Sequence, residues 1–140
     1  MASVLKVSDA ASMGIHAAVL LAGQPERLVS NREIAAALKV SPAHLSKVLQ
    51  RLSKAGIVRS ARGPGGGFRL AKGWENLSLL KVYEAIEGRL NPENCLLHAP
   101  ICGGKKCIFG GMLKRLNKEV RSYLANNRLA DLAGAFRRRK

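Results

Sequence analysis

Aromatic and acidic side chains are both scarce in this chain of 140 residues. Phe, Trp and Tyr make up 4% of the sequence, although apolar residues as a whole make up 47%. A core with so few rings must be built from aliphatic side chains, which favours packed helices over a β-sandwich. Nine acids face 24 Lys and Arg, so the formal net charge is +15. An excess of this size indicates an anionic partner.

Long apolar runs are also missing. No stretch approaches the ~18 residues that indicate a membrane-spanning helix, and the opening MASVLKVSDAAS lacks the continuous apolar segment of a secretory signal. We therefore expect a cytoplasmic protein with no membrane association. Cysteine occurs three times, and an odd number argues against a disulfide framework.

Sequence motifs of enzymes are not recognisable either. The chain shows no nucleophile–base pair in a known motif. Its glycine-rich stretch, GPGGG at 63–67, leads into a predicted strand, whereas a phosphate-binding loop must lead into a helix. We expect a protein that is not an enzyme.

The clearest pattern that is present covers residues 30–72 and begins with two short helices. Ser30 and Glu33 have the spacing of a capping box, which opens the first helix. Ser41 followed by Pro42 opens the second, because serine caps the orphan N–H groups and proline lacks one. Apolar residues at steps of three and four give each helix one buried face.

A glycine-tipped hairpin follows the two helices. Gly56 is expected to end the second helix in the left-handed conformation. Strands are predicted at 57–61 and 68–71, on either side of the glycine-rich turn. Two helices followed by a hairpin predict a winged helix-turn-helix, in a fold that is mainly α with a small β-hairpin wing.

The charge of this region favours double-stranded DNA as the partner. From Ser30 to Lys72 there are nine Lys or Arg residues and one acid, and phosphates attract such a surface whatever the base sequence. The second helix is expected in the major groove, and the wing near the backbone or minor groove. The predicted DNA-binding residues are Ser41, His44, Lys47 and Arg51 on the helix, and Arg59, Arg62, Gly63, Pro64, Gly65 and Gly66 in the wing.

Three further helices are predicted outside this region. One covers 8–22 and is capped by Ser8, another is capped by Ser78 and ends at Gly88, and a third of about 20 residues starts at Ile108. The third has an apolar stripe with nothing in the DNA-binding region to cover it, so we expect a second copy of the chain to do so. The predicted dimer interface consists of Phe109, Met112, Leu113, Leu116, Val120 and Leu124.

All three cysteines fall in the segment 89–107. Cys95, Cys102 and Cys107 are separated by six and four residues, and thiolates bind iron–sulfur clusters or zinc. A cluster is preferred because the CxxC pairs usual for structural zinc are missing. Three unligated, redox-active thiols are the remaining interpretation.

Three thiolates leave a fourth ligand position. The candidates are His98 inside the segment and, from the first helix, Asp9 and His16. Asp9 has another role open to it, since a carboxylate in the first turn is favoured by the helix dipole. His16 lies among apolar neighbours, so we expect it to be a core histidine rather than a ligand.

Over residues 5–132 the sequence resembles the Rrf2 type of bacterial transcription regulators, which includes IscR-like and NsrR-like members. The resemblance rests on LKVSDAASMGIHAAVLLA, the helix-turn-helix, RGPGGGFRLAK, LSLLKVYEAIEG and the three cysteines. It implies a homodimeric winged-helix regulator with a 2Fe–2S or 4Fe–4S cluster that controls promoter affinity, and we expect a repressor. The implied domains are 1–88 for DNA binding, 89–107 for the cluster and 108–140 for dimerisation with a basic tail.

The resemblance also assigns the ligands. Cys95, Cys102 and Cys107 match the cluster cysteines, and Asp9 matches the N-terminal aspartate that is the fourth ligand in NsrR-like members. IscR-like members use a histidine three residues after the last cysteine, and here that position is Gly110. Zinc remains the alternative metal.

Overall fold

The computed structural model describes residues 7–90, 96–97, 101–102 and 107–136. This part of the chain is mainly helical, with one two-stranded antiparallel hairpin, which confirms the predicted fold class. The elements are α1 (Asp9–Ala22), α2 (Asn31–Leu38), α3 (Pro42–Lys54), β1 (Val58–Ala61), β2 (Gly67–Leu70), α4 (Leu79–Glu87), α5 (Met112–Asn126) and α6 (Leu129–Leu132), with a 3-10 turn at Trp74–Asn76.

Serine residues define the starts of four helices. Ser8, Ser30, Ser41 and Ser78 each accept a hydrogen bond on the side-chain oxygen from the backbone N–H three residues later, at 3.1–3.3 Å. Each bond satisfies a donor that the helix cannot pair internally. The helix starts predicted from these serines are confirmed.

The capping box predicted at α2 forms only in half. The Ser30 hydroxyl accepts from the Glu33 N–H at 3.1 Å. The Glu33 carboxylate, however, accepts hydrogen bonds of 2.8 and 3.0 Å from the guanidinium of Arg27. A charge-assisted bond of this kind is stronger than a bond to a neutral amide, so it takes the carboxylate away from the cap.

The hairpin is anchored to the helices by the segment before α2. Val29 and Phe68 exchange two backbone hydrogen bonds, of 2.9 and 2.8 Å, beside the β1–β2 pair. The register places Val58 opposite Leu70, and both are buried. The rest of the hairpin therefore projects from the body of the protein.

Aliphatic side chains from every helix except α5 form the fully buried core. The largest fully buried residues are Leu21, Val29, Ile34, Leu45, Val48, Leu49, Leu52, Val82 and Leu129. α1 lies at the centre and packs against α3, α4 and α6. No helix in the described ranges is long and apolar enough to cross a membrane.

The fifth helix begins later than we predicted. Residues 108–111 form a turn, and α5 runs only from Met112 to Asn126. Gly110 has φ of +59°, a left-handed conformation that interrupts a right-handed helix and that glycine adopts at little cost. Phe109 therefore precedes the helix rather than belonging to its stripe.

The last helix returns to the DNA-binding half of the chain. Leu129 has no exposed surface, and its N–H donates to the Leu77 carbonyl at 2.9 Å. We expect Leu129→Ala to lower the free energy of unfolding by about 2–5 kcal/mol, because it leaves a cavity in a closed core. Urea unfolding followed by circular dichroism measures this. Val7→Ala, at a half-exposed position before α1 and outside the proposed dimer interface, is the control and should cost far less.

Candidate functional site

Helix α3 separates its apolar and polar side chains completely. Leu45, Val48, Leu49 and Leu52 are at most 2% exposed and pack into the core. The other face is exposed and carries the residues predicted to contact DNA, namely Ser41, His44, Lys47 and Arg51. The packing thus holds a rigid helix with its polar face outward, as insertion into a groove requires.

The tip of the wing is mostly exposed, and its backbone conformation requires glycine at several positions. Gly63 and Gly65 have φ of +89° and +75°, which L side chains rarely adopt. A Cβ added at Gly66 would overlap the carbonyl oxygen of Ala61. Arg62 and Pro64 are exposed at the same tip. A narrow tip with bare backbone can approach sugar and phosphate closely.

The strand register brings together two arginines, one of which the sequence analysis missed. Arg59 lies directly opposite Arg69, and both are exposed. Like charges in this relation repel, so an anion between or above them would be favoured. Counting outward from the glycine-rich turn along both strands, in steps of two residues, would have revealed Arg69 opposite Arg59. It therefore joins Arg59 and Arg62 as a candidate phosphate contact.

Arg51 differs from the other exposed residues of α3 because it is engaged within the protein. Its guanidinium donates a 3.1 Å hydrogen bond to the carbonyl oxygen of Ile86, in the last turn of α4. The last carbonyls of a helix lack internal partners and carry partial negative charge, so a cation is favoured there. Arg51 thereby ties α3 to the end of α4.

The cysteine segment begins immediately after that helix end. Cys102 and Cys107 are both partly buried, and the Cys107 sulfur accepts a hydrogen bond from the Phe109 N–H at 3.4 Å. Backbone N–H donors of this kind stabilise thiolates in metal and cluster sites. Cys95 and His98 lie outside the described residues, so the predicted ligand set is described only in part.

Exposed apolar side chains lie next to the three cysteines in sequence. Leu96, Leu97, Ile101 and Ile108 are between 55% and 82% exposed. Within the described ranges, no group of three His, Cys, Asp or Glu side chains is close enough to hold a metal ion.

The N-terminus of α1 lies beside the start of the cysteine segment. Ser8, immediately before Asp9, donates its hydroxyl proton to the carboxylate of Glu87, the last residue of α4. Asp9 itself is exposed in the first turn of α1. Asp9, one of the predicted fourth ligands, thus follows a residue that contacts the end of α4, where the segment that contains Cys95 begins.

His16 is not the core histidine that we predicted. Its side chain is exposed, and its Nδ1 lies 2.6 Å from the Ser12 carbonyl oxygen. The centroids of the His16 and Phe136 rings are 6.3 Å apart in a T-shaped arrangement. The prediction failed because position 16 falls on the one narrow strip of α1 that its neighbours leave uncovered.

Further hydrogen bonds fix the entrance of the cysteine segment at Leu90. Its N–H donates to the Glu84 carboxylate at 3.1 Å, and its carbonyl accepts from Arg121 of α5 at 3.2 Å. The pKa of the nearby Tyr83 hydroxyl is raised, mainly by burial and to a lesser extent by the negative charge of Glu87. The start of the segment is therefore held by both α4 and α5.

The predicted dimer stripe divides into two faces of α5. Leu113, Val120 and Leu124 are partly buried, and Leu124 packs on the core. Met112 and Leu116 are 37% and 41% exposed on the neighbouring face. Tyr123 extends this exposed face and is 60% exposed, although the prediction did not include it.

Comparison with known proteins identifies a family. A family model described as Rrf2, iron-dependent transcriptional regulator, matches residues 7–135. A protein of Aquifex aeolicus assigned as an HTH-type transcriptional regulator is 31% identical over 128 residues, which are 89% of each chain. The transcriptional regulator IscR of Photobacterium profundum is 31% identical over 93 residues, which are 66% of this chain and 54% of IscR.

Solved structures show the same fold. CymR of B. subtilis, the global cysteine regulator, superposes with a TM-score of 0.75 at 23% identity, over 95% of this chain and 99% of CymR. The oxidized form of Staphylococcus aureus CymR superposes with a TM-score of 0.70 at 25% identity, over 92% of this chain and 96% of CymR.

Proposed function

We propose, from the premise that this chain belongs to the Rrf2 family of DNA-binding transcriptional regulators, that its three-cysteine segment controls its affinity for an operator. The related proteins are described as transcriptional regulators. In this proposal the protein is a homodimer that acts as a repressor. Each subunit places its α3 helix and its wing on one half-site.

The observation that carries this proposal is the position of the cysteine segment. It connects α4, which is bonded to the recognition helix α3 through Arg51, with α5, which is bonded to Leu90 through Arg121. A change in the conformation of the segment would therefore alter how α5 sits on the DNA-binding half. Half-site spacing depends on that arrangement when α5 joins two subunits.

An iron–sulfur cluster is the group that we propose for the segment. The thiolates of Cys95, Cys102 and Cys107 would hold it, and the carboxylate of Asp9 would supply the fourth ligand. Two contacts support this role: the Cys107 sulfur accepts a hydrogen bond from the Phe109 N–H, and Ser8, next to Asp9 in sequence, is bonded to Glu87 at the end of α4. A bound cluster would supply a redox-active centre. The hard carboxylate would be its most easily displaced ligand.

Absorption spectroscopy of anaerobically purified protein tests this proposal. We expect visible charge-transfer bands, and we expect Cys102→Ala to remove them because two thiolates are too few. Asp9→Ala should keep part of the iron but alter the spectrum and the rate of cluster loss. If His98→Ala alters the spectrum while Asp9→Ala does not, the fourth ligand is His98.

A second candidate function is thiol-based sensing without a cluster. It is favoured by the likeness to S. aureus CymR, for which an oxidized form is known. This function predicts colourless protein whose operator affinity changes on mild oxidation and recovers with dithiothreitol. A third outcome, colourless protein with stoichiometric zinc and no redox response, would indicate a constitutive DNA-binding protein stabilised by zinc.

A further inference from the structure

The recognition helix and the cysteine segment meet at one point in the structure, the last turn of α4. The carbonyl oxygen of Ile86 accepts the hydrogen bond from Arg51 at 3.1 Å. Four residues later, Leu90 is the last described residue before the stretch that contains Cys95. A short stretch of backbone therefore separates the Ile86 carbonyl, which is bonded to Arg51 of α3, from Cys95.

Packing around Ile86 leaves little room for independent movement. Ile86 is 6% exposed. A Cβ added at Gly14 of α1 would overlap the Ile86 side chain and lie 3.3 Å from Val48 of α3. Close-packed interiors transmit small displacements rather than absorbing them. A shift of the end of α4 would thus be felt on the buried side of α3 as well as through Arg51.

The other side of the same junction is held as firmly. The Leu90 N–H is bonded to Glu84, and the Leu90 carbonyl to Arg121 of α5. Glu87 is bonded to Ser8, the N-cap residue of α1. These bonds mean that a rearrangement of the cysteine segment at Leu90 has to move the end of α4 or break them. The Arg51 bond is the polar link from that end to the DNA-binding helix.

We propose that Arg51 is a positioning residue, which couples the state of the cysteine segment to the orientation of α3 through the Ile86 carbonyl. This assignment replaces the role of a direct DNA contact that its exposed position on α3 suggested. It rests on the proposed control of operator binding by the cysteines. It adds the residue through which that control reaches the recognition helix.

The test compares operator affinity in two forms of the full-length protein, with the cysteine segment loaded with its metal group and stripped by a chelator. The DNA is a duplex selected by the parent protein from a randomised pool, and the readout is fluorescence anisotropy. The quantity of interest is the ratio of the two dissociation constants. Couplings between sites in proteins correspond to ratios of about 5- to 150-fold.

We expect Arg51→Gln to bring this ratio close to one while the protein still binds DNA in one form. Arg51→Lys, which keeps a cation near the carbonyl, should restore part of the ratio. Lys47→Ala is the matched control on the same helix. It should weaken binding in both forms equally and leave the ratio unchanged, because Lys47 is exposed on α3 as a proposed DNA contact.

An unchanged ratio in Arg51→Gln, with affinity lowered equally in both forms, would overturn the proposal and make Arg51 a DNA contact. A ratio of one in the parent, both for loaded against stripped protein and for mildly oxidised against reduced protein, would instead refute cysteine control itself, and the coupling with it. A measurement that needs no variant is amide hydrogen exchange of residues 42–54 in the two forms of the parent. Identical exchange in a parent whose affinity does respond would also overturn the proposal.

Discussion

Raising the salt concentration from 50 to 200 mM should weaken operator binding by about 10³- to 10⁵-fold, the effect expected when roughly 6–10 phosphates are neutralised. The basis is the distribution of charge between Ser30 and Lys72, where nine basic residues accompany one acid. The acid, Glu33, is already paired with Arg27 and so does not oppose the other cations. Each phosphate contact releases counterions from the DNA, which favours binding. This contribution to the binding free energy becomes smaller as the salt concentration rises.

Anisotropy titrations at several salt concentrations measure the slope of log affinity against log salt. Arg62→Ala at the wing tip and Arg69→Ala on β2 should each reduce that slope by about one, as loss of a single phosphate contact does. Glu75→Gln, an exposed change outside the hairpin that alters charge in the other direction, is the control and should leave the slope unchanged. A flat response in the parent would remove the electrostatic basis of the interface.

Local sequence patterns were sufficient to predict those parts of the fold that depend on residues close together in the chain. The four serine caps and the buried face of α3 follow from the needs of single helices. The end of α3 likewise follows from Gly56, with φ of +75°. The hairpin follows from the glycine-rich turn, although β1 starts one residue later than predicted and β2 both starts and ends one residue earlier.

Contacts between distant residues could not be predicted in this way. The bond from Arg51 to Ile86 joins residues 35 apart in sequence, and no local period reveals it. Leu129 joins the core only because α6 packs back on α1. At α5 the stripe was read as one surface, although part of it faces α4 and part faces away. Periodicity shows that a face is apolar but does not show what covers it.

The second large effect concerns the exposed face of α5, formed by Met112, Leu116 and Tyr123. These side chains recur at steps of four and seven residues and are 37–60% exposed. An apolar face of this kind on a surface helix is the surface that a second copy would cover in the proposed homodimer. Dimerisation matters for DNA binding because linking two half-site contacts raises affinity by about 10²- to 10⁴-fold.

Leu116→Asp should therefore convert the dimer to a monomer and reduce operator affinity by about 10²- to 10⁴-fold, since the two half-sites are no longer bridged. The aspartate would be unpaired in the interface, whereas in the monomer it is solvated. Ala125→Asp is the matched control, because it adds the same charge at an exposed position on the opposite side of α5. Light scattering measures the mass, and circular dichroism verifies that both variants are folded. A Leu116→Asp protein that remains a dimer with full operator affinity would show that this face of α5 does not join the subunits.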